Sequence, residues 1–506
     1  MKLNFTLNES LAFKGKGTHL PLVLSVPLGS ENPVSIFLKV AQKKEHAFLL
    51  ESVEGEKKVA RYSFIGIDPY KIFDFYKQQG RVVFRSGVAK RVNVLNPLVY
   101  IQKAVEKIHI PRGIAKPEFM GGAVGYLGYE GVRYFENIPE AAEDPLKIPD
   151  GMYGFFDTVI VVDHVRRGIK IVQLLELKGD ITKKYGEAAQ VIDRIARQIR
   201  EGTAEPILDF QRVNQRKISA DLNKRFISNT SKSAYKKGVQ KAKEYIANGD
   251  AIQVVYSQRF QVPFRQNGFL AYQALRHINP SPYMYYLKFP KFEIAGSSPE
   301  VFARCEKGEI FLTVLAGTRK RGENSAEDTR LIANLLADEK ENAEHVMLVD
   351  LGRNDVGKVG TIGSVRVSKY KYIVKYSHVL HIASDVTGTM KNEMNAFDLF
   401  CACFPRGTVS GAPKIRAMEI IAGLEKEKRG VYAGGIGYFD FEGNMNAALG
   451  IRTIVIKDRK AYVQSGAGIV YDSDPEREYE ESVNKAKGPL KALLIAKQAG
   501  KNASRV

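Results

Sequence analysis

Short apolar runs separated by turn residues fill the first part of the chain. Ala47-Phe48-Leu49-Leu50, Arg81-Val82-Val83-Phe84, Thr158-Val159-Ile160-Val161-Val162 and Lys170-Ile171-Val172 have the length and the β-branched and aromatic content of strands. A 3.6-residue repeat takes over at 183–200, where Val191, Ile192, Ile195 and Ile199 share one helical face. From Glu201 to Asn229 the sequence is polar and without period. This predicts a boundary between an N-terminal region, 1–215, and a C-terminal region, 216–500.

Helical and strand patterns mix beyond that point. Ser231 and Ser233 cap a helix predicted to run to Ile246, with Gly249-Asp250 closing it and a strand over Ile252 to Phe260. A second helix starts near Ser325, with Asp328 three positions on, and carries Leu331, Leu335 and Leu336. Periodicity does not say whether it runs unbroken to Leu348. A third helix is predicted after Gly411-Ala412-Pro413, ending at Gly430, and a fourth from Ser473-Asp474-Pro475. With a hairpin predicted over 447–464, this mixture argues an α+β fold rather than a regular parallel α/β one.

Composition narrows the class of protein. No apolar run approaches the about 18 residues needed to span a bilayer, and Met1-Lys2-Leu3-Asn4-Phe5 has no apolar core of a signal peptide. Cys305, Cys401 and Cys403 have neither framework nor zinc spacing, so a reduced, cytoplasmic setting is expected. The net charge is +20, from 76 basic against 56 acidic residues. Those basic residues are scattered, and no helix-turn-helix, zinc-finger or RNP-like string accompanies them. A solvated basic surface that attracts small anions fits better than a nucleic-acid-binding role.

Two Glu-x-x-Glu pairs carry the first candidate chemistry. Glu341 and Glu344, like Glu478 and Glu481, sit at i,i+3 in helical contexts, which places each pair on one face. Either pair alone reads as a solvated face. Two such faces opposed across a cavity offer four hard oxygen donors, a set suited to Mg²⁺. Glu339, Glu476 and Glu480 lie beside them as solvated neighbours. Gly407-Thr408-Val409-Ser410-Gly411-Ala412-Pro413-Lys414 leads into a helix and favours an anion, but it lacks the order of a Walker A loop. Tyr432 to Tyr438 and Ser465-Gly466-Ala467-Gly468 either bring backbone close to a ligand or form strand bulges. Arg452, in an apolar run, faces a cavity if that run is a strand and then needs a carboxylate partner.

Together these strings resemble the signature strings of the chorismate-utilising enzymes, in order and spacing. They are Leu348-Val349-Asp350-Leu351-Gly352-Arg353-Asn354-Asp355, Gly407 to Lys414 and Ile451-Arg452-Thr453, with Ala295 to Glu300 and Ala316-Gly317-Thr318-Arg319 as two further motifs. Lys320 and Arg406 depart from residues common in the family. The resemblance implies two orthogonal antiparallel β-sheets with surrounding helices and an active site between them. It also implies Mg²⁺ held by Glu341, Glu344, Glu478 and Glu481. Glu300 is implied as general acid and His381, rather than His378, as the histidine of pyruvate elimination. Gly317, Thr318, Thr408, Tyr432, Arg452, Gly466, Ala467 and Gly468 are implied to hold the substrate.

Within that family, water-using members carry a lysine where this chain has Gln253, which is no general base. Aminodeoxychorismate synthases typically carry a nucleophilic lysine where it has Ala316. Ammonia is then the expected nucleophile and anthranilate the product, with the aminodeoxychorismate synthase component as the alternative. Glu51-Ser52 and Pro280-Ser281-Pro282-Tyr283-Met284, the latter following Asn279, resemble the tryptophan feedback site of anthranilate synthases. A Gly-x-Cys-x-Gly elbow with His-x-Glu is missing from the sequence, which implies a separate glutamine amidotransferase subunit as partner.

Overall fold

The computed structural model describes residues 2–53, 61–204, 226–376 and 379–503, with isolated positions between 205 and 225. His378 and much of the polar stretch 205–225 lie outside the described residues. Two antiparallel sheets organise the chain: among the described residues one has 12 strands and the other 11.

Both sheets draw strands from both sides of residue 215. In the larger sheet Ala47–Glu51 pairs with Tyr283–Phe289 (Glu51 opposite Met284), then Phe292–Ser298, Thr453–Lys457, Lys460–Ile469 and Gln253–Pro263 follow in order. In the smaller sheet Gly122–Leu127 pairs with Gly435–Asp440, and the order runs on through Met445–Leu449, Val301–Glu306 and Glu309–Lys320 to Val379–Thr389.

Side-chain parity explains the continuous apolar runs. Val159 and Val161 belong to a core shared with Phe48, Tyr126, Tyr285, Ile436 and Val455, residues of both sheets. Ile160 and Val162 point the other way, into a core with Ile192, Ile195, Tyr272 and Leu493 from three helices. A third core covers the outer face of the smaller sheet, where Phe302, Phe400 and Phe439 pack. A strand covered on both faces shows no apolar–polar alternation, which is why Thr158 to Val162 reads as one block.

The helices follow local signals, with corrections. The predicted helix at 183–200 spans Ile181–Glu201, where Asp180 accepts from the Lys183 amide. Ser231 caps Lys232–Ala247 as expected. The second helix is capped by Asn324, not Ser325, and breaks at Asp338, whose side chain accepts from the Glu341 amide and starts a separate helix, Glu339–Val359. The cap outcompetes continuation because Asp offers the free amides an acceptor. The third helix, Lys414–Leu424, ends six residues short of Gly430. The fourth, Pro475–Ala503, begins as predicted.

The predicted hairpin over 447–464 is wrong in register. Met445–Leu449 belongs to the smaller sheet, and the hairpin pairs Thr453–Lys457 with Lys460–Ile469 in the larger one. Between them the chain changes sheets at Gly450–Arg452, where Arg452 adopts φ 51°. A second crossing lies beside it, at Pro299-Glu300, between Phe292–Ser298 and Val301–Glu306. The Leu449 amide donates to the Glu300 carbonyl (3.0 Å) and the Ser297 amide to the Arg452 carbonyl (3.3 Å), tying the crossings together.

Candidate active site

Two of the predicted site residues, Glu300 and Arg452, sit on these paired crossings, where strand pairing stops and side chains are released from the sheet faces. Glu300 is buried, and the Thr408 hydroxyl donates to its Oε1 at 2.8 Å. Burial pushes its carboxyl above the usual range, against the pull of Arg406, the Thr408 bond and Lys485. A carboxyl held this way keeps its proton to a higher pH than a free glutamate does. Thr408 reaches it from the short helix Gly407–Ser410, anchored because Gly411–Ala412 pairs with the start of Gln253–Pro263.

Arg452 does not lie in a strand, and among the described residues it has no carboxylate partner. Its Nη1 donates to the Lys485 carbonyl, and burial lowers its pKa. Tyr432 is buried, with Arg429 over its ring and its phenol pushed up to about 12 by burial. Gly466, Ala467 and Gly468 face Ser257, Tyr256 and Val255 across the sheet. A Cβ at Gly468 would meet Gln253 Nε2 at 2.6 Å, so a larger residue there would displace that amide.

His381 stands across from Thr318 on the smaller sheet. Its Nδ1 lies 2.9 Å from the Gly317 carbonyl and 3.1 Å from Thr318 Oγ1. A carbonyl only accepts, so Nδ1 carries the hydrogen and Nε2 keeps its lone pair. Burial depresses the imidazole pKa, which favours that neutral form. Gly317 makes the approach possible: it sits at a register shift with φ +64°, and a Cβ there would press on Leu335 (3.0 Å) and Glu341 Oε2 (3.2 Å).

The two glutamate pairs occupy the helices Glu339–Val359 and Pro475–Ala503. Arg319 Nη1 donates to Glu341 Oε1 at 2.9 Å, Gln253 Nε2 to Glu344 Oε1 at 3.0 Å, and Lys485 pairs with Glu481 at 2.7 Å. Burial raises the pKa of Glu344, and Glu341 and Glu481 raise it further; burial and Glu481 also raise that of Glu478. All four carboxylates therefore share one electrostatic neighbourhood. Their hard-oxygen chemistry fits a divalent cation, which would relieve the mutual repulsion. Among the described residues, however, no three His, Cys, Asp or Glu side chains come together closely enough to hold a metal ion. Of the solvated neighbours, Glu476 pairs with Lys232 and Lys236.

Sequence reasoning missed three residues. Lys485 lies one turn beyond Glu481, contacts Glu481 and the Gly466 carbonyl (3.2 Å), and influences Glu300, Glu344, Glu478 and His381 electrostatically. Its signal was the i,i+4 spacing from Glu481. Asp355 and Lys414 end two of the signature strings and form a buried ion pair at 2.7 Å, which fixes the 407–414 loop on the helix that carries Glu341 and Glu344.

The residues expected to hold tryptophan cluster at the seam of the larger sheet. Glu51 is buried and accepts from Tyr272 Oη and from Arg276 (Nε 3.0 Å). The Val53 amide donates to the Ser281 carbonyl at 3.3 Å, while Ser52 Oγ is buried and has no partner among the described residues. Met284 is buried opposite Glu51, and Pro280, Ser281 and Pro282 lead into that strand, which Tyr283 begins.

A family model described as chorismate binding enzyme matches residues 45–491, and the chain belongs to that family. Within it, the chain is 46% identical over 488 residues to anthranilate synthase component 1 of Acetivibrio thermocellus, covering 96% of this chain and 98% of the relative. It is 43% identical over 500 residues to the protein of the same name from Aquifex aeolicus, covering 99% of each. The crystal structure of anthranilate synthase component I from Streptococcus pneumoniae matches with a TM-score of 0.75 at 33% identity, over 92% of this chain and 99% of that one. MenF, the menaquinone-specific isochorismate synthase of Escherichia coli, matches at 0.68 with 17% identity and shares the fold.

Proposed function

We propose that the chain is the chorismate-converting component of an anthranilate synthase, a lyase that turns chorismate and ammonia into anthranilate, pyruvate and water through 2-amino-2-deoxyisochorismate. This is the first step of tryptophan biosynthesis. The observation that carries the choice of nucleophile is Gln253. It occupies the position of a water-activating lysine, and its amide is engaged with Glu344. Ala316 likewise offers no amine to attack the ring. Ammonia needs neither, since it brings its own lone pair.

Glu300 donates its proton to the departing C4 hydroxyl as ammonia adds at C2, and Thr408 holds the carboxyl in place for that transfer. His381 then removes the C2 proton through Nε2 as the C–O bond to the enolpyruvyl group breaks and pyruvate leaves. Arg452 and Tyr432, with the backbone of Gly466 and Gly468, hold the enolpyruvyl carboxylate. Lys485 offsets the negative charge gathered around it. Glu341, Glu344, Glu478 and Glu481 are the residues that would hold a hard divalent cation such as Mg²⁺, which when bound would supply positive charge for the ring carboxylate of chorismate. Ammonia comes from glutamine through a separate amidotransferase subunit. Among the described residues no helix is long and apolar enough to cross a membrane, which is consistent with work in the cytoplasm.

Incubation of the purified chain with chorismate, Mg²⁺ and ammonium is expected to yield fluorescent anthranilate, and glutamine alone to yield none. Consumption of chorismate without fluorescence would instead point to the aminodeoxychorismate reaction.

Tryptophan is the feedback inhibitor in this reading, bound by Glu51, Ser52 and residues 280–284. The Ser52 hydroxyl, buried and without a partner among the described residues, supports it, because a buried polar atom is costly until a ligand group pairs with it. Ser52→Ala should raise the half-inhibitory tryptophan concentration about tenfold, the size expected for losing one hydrogen bond to a charged group. A half-inhibitory concentration equal to the parent's would remove Ser52 from the site.

A further inference from the structure

Ser297 stands where the inhibitor loop and both sheet crossings meet. It is fully buried, next to last in the strand Phe292–Ser298, three residues before Glu300. Its hydroxyl contacts the Asn279 carbonyl, lies 2.8 Å from Ser281 Oγ, and accepts from Asn279 Nδ2 at 3.0 Å. Its amide donates to the Arg452 carbonyl at 3.3 Å. One residue on, the Ser298 hydroxyl and the Glu300 backbone bond each other at 3.1 and 3.3 Å.

The side chain of Ser297 is thus committed to the loop 279–281, and its main chain to the two crossings. Asn279 caps the helix Gly268–Ile278, which carries Tyr272 and Arg276 against Glu51. A ligand held by Glu51, Ser52 and residues 280–284 would act on the segment 279–281 that holds the Ser297 hydroxyl. A buried serine whose hydroxyl is shared among three partners either gives up a hydrogen bond when they move or passes the movement to its own backbone. That backbone carries Arg452 on one side and leads to Glu300 on the other.

We propose that Ser297 is a positioning residue that couples occupancy of the Glu51–Ser52–Met284 pocket to the placement of Glu300 and Arg452. This inference rests on the reading of that pocket as the tryptophan site. Coupling of this kind is reciprocal: if tryptophan weakens chorismate binding, chorismate weakens tryptophan binding by the same factor.

The test measures tryptophan affinity by calorimetry, with and without chorismate and without ammonia, in the parent and in Ser297→Ala. The parent should show a coupling factor of about 5 or more, in the range usual for allosteric pairs. In S297A it should fall to within about twofold of unity, and S297T, which keeps a hydroxyl, should restore part of it. S297A binding tryptophan with undiminished coupling overturns the inference alone. Failure of the parent to bind tryptophan overturns the pocket reading and the inference with it. A measurement on the unaltered protein stands whether or not the variants fold: saturating tryptophan should change amide hydrogen exchange at Ser297 and Glu300, and unchanged protection there overturns the coupling.

Discussion

Glu300→Gln is expected to lower kcat by about 10²- to 10⁴-fold while leaving KM within a few-fold of the parent, the range set by losing a positioned general acid. Glutamine keeps the volume and still accepts from the Thr408 hydroxyl, which in the parent donates to Glu300 Oε1 at 2.8 Å. The substrate pocket should therefore keep its shape. What goes is the proton. Leaving hydroxide needs it only in the transition state, so kcat and kcat/KM should fall together. The pH profile gives the sharper signature. Burial raises the Glu300 pKa, so the acid form persists further up the pH scale, and the parent rate should fall as pH rises through that value. E300Q has nothing to titrate there and should lack that descending limb. The same raised pKa makes a stability contribution present at low pH and lost as pH rises through the folded pKa, a loss E300Q avoids. A variant that retains the parent rate, or the parent's descending limb, would remove Glu300 from the acid role.

How much of this could be read before the fold was known depends on where the information sits along the chain. Helix starts were legible at Ser231 and Asp474-Pro475 because a cap and the amides it satisfies lie within a few residues of each other. The break at Asp338 was not legible. A helix that stops and restarts around a good cap leaves the apolar period almost undisturbed, and only the Asp338–Glu341 contact distinguishes the two cases. The 447–464 hairpin was misread for a related reason. Met445–Leu449 and Thr453–Lys457 are both apolar strands a turn apart, and local pattern cannot tell that the chain changes sheets between them.

Site residues were legible as strings and not as a site. Glu300 and Arg452 are 152 positions apart in numbering yet share two backbone hydrogen bonds through Leu449 and Ser297. Lys485 went unread because a lysine near a glutamate on a helix is ordinarily a solvated pair, and the Asp355–Lys414 pair because its members lie 59 positions apart. Their roles come from what the fold buries around them.

Removing one carboxylate from the glutamate cluster carries the other large effect. Glu344→Gln should lower turnover at saturating Mg²⁺ by at least about 10²-fold, since a cation's stabilisation of developing charge is worth several kcal/mol. It should do so without harming the fold. Glu344 is crowded by Glu341 and Glu481, with Gln253 as its hydrogen-bond donor. Burial and the repulsion from Glu341 and Glu481 disfavour its charge, against the pull of Gln253 and Lys485, so the metal-free variant should melt at or above the parent's Tm. Titration with Mg²⁺ then separates the two proteins. A ligand that binds only the folded state stabilises it by about 2.7 kcal/mol at a hundred times its Kd. The parent's Tm should rise with Mg²⁺ accordingly, and that of E344Q should rise far less. The same comparison on Glu476→Gln, where the carboxylate pairs with Lys232 and Lys236 on the surface, should leave the Mg²⁺ response intact, because an exposed pair of that kind contributes little. If E344Q instead keeps both the parent's turnover and its Mg²⁺-dependent rise in Tm, the four carboxylates are not a metal site, and the charge gathered there must be answered by Arg319, Gln253 and Lys485 alone.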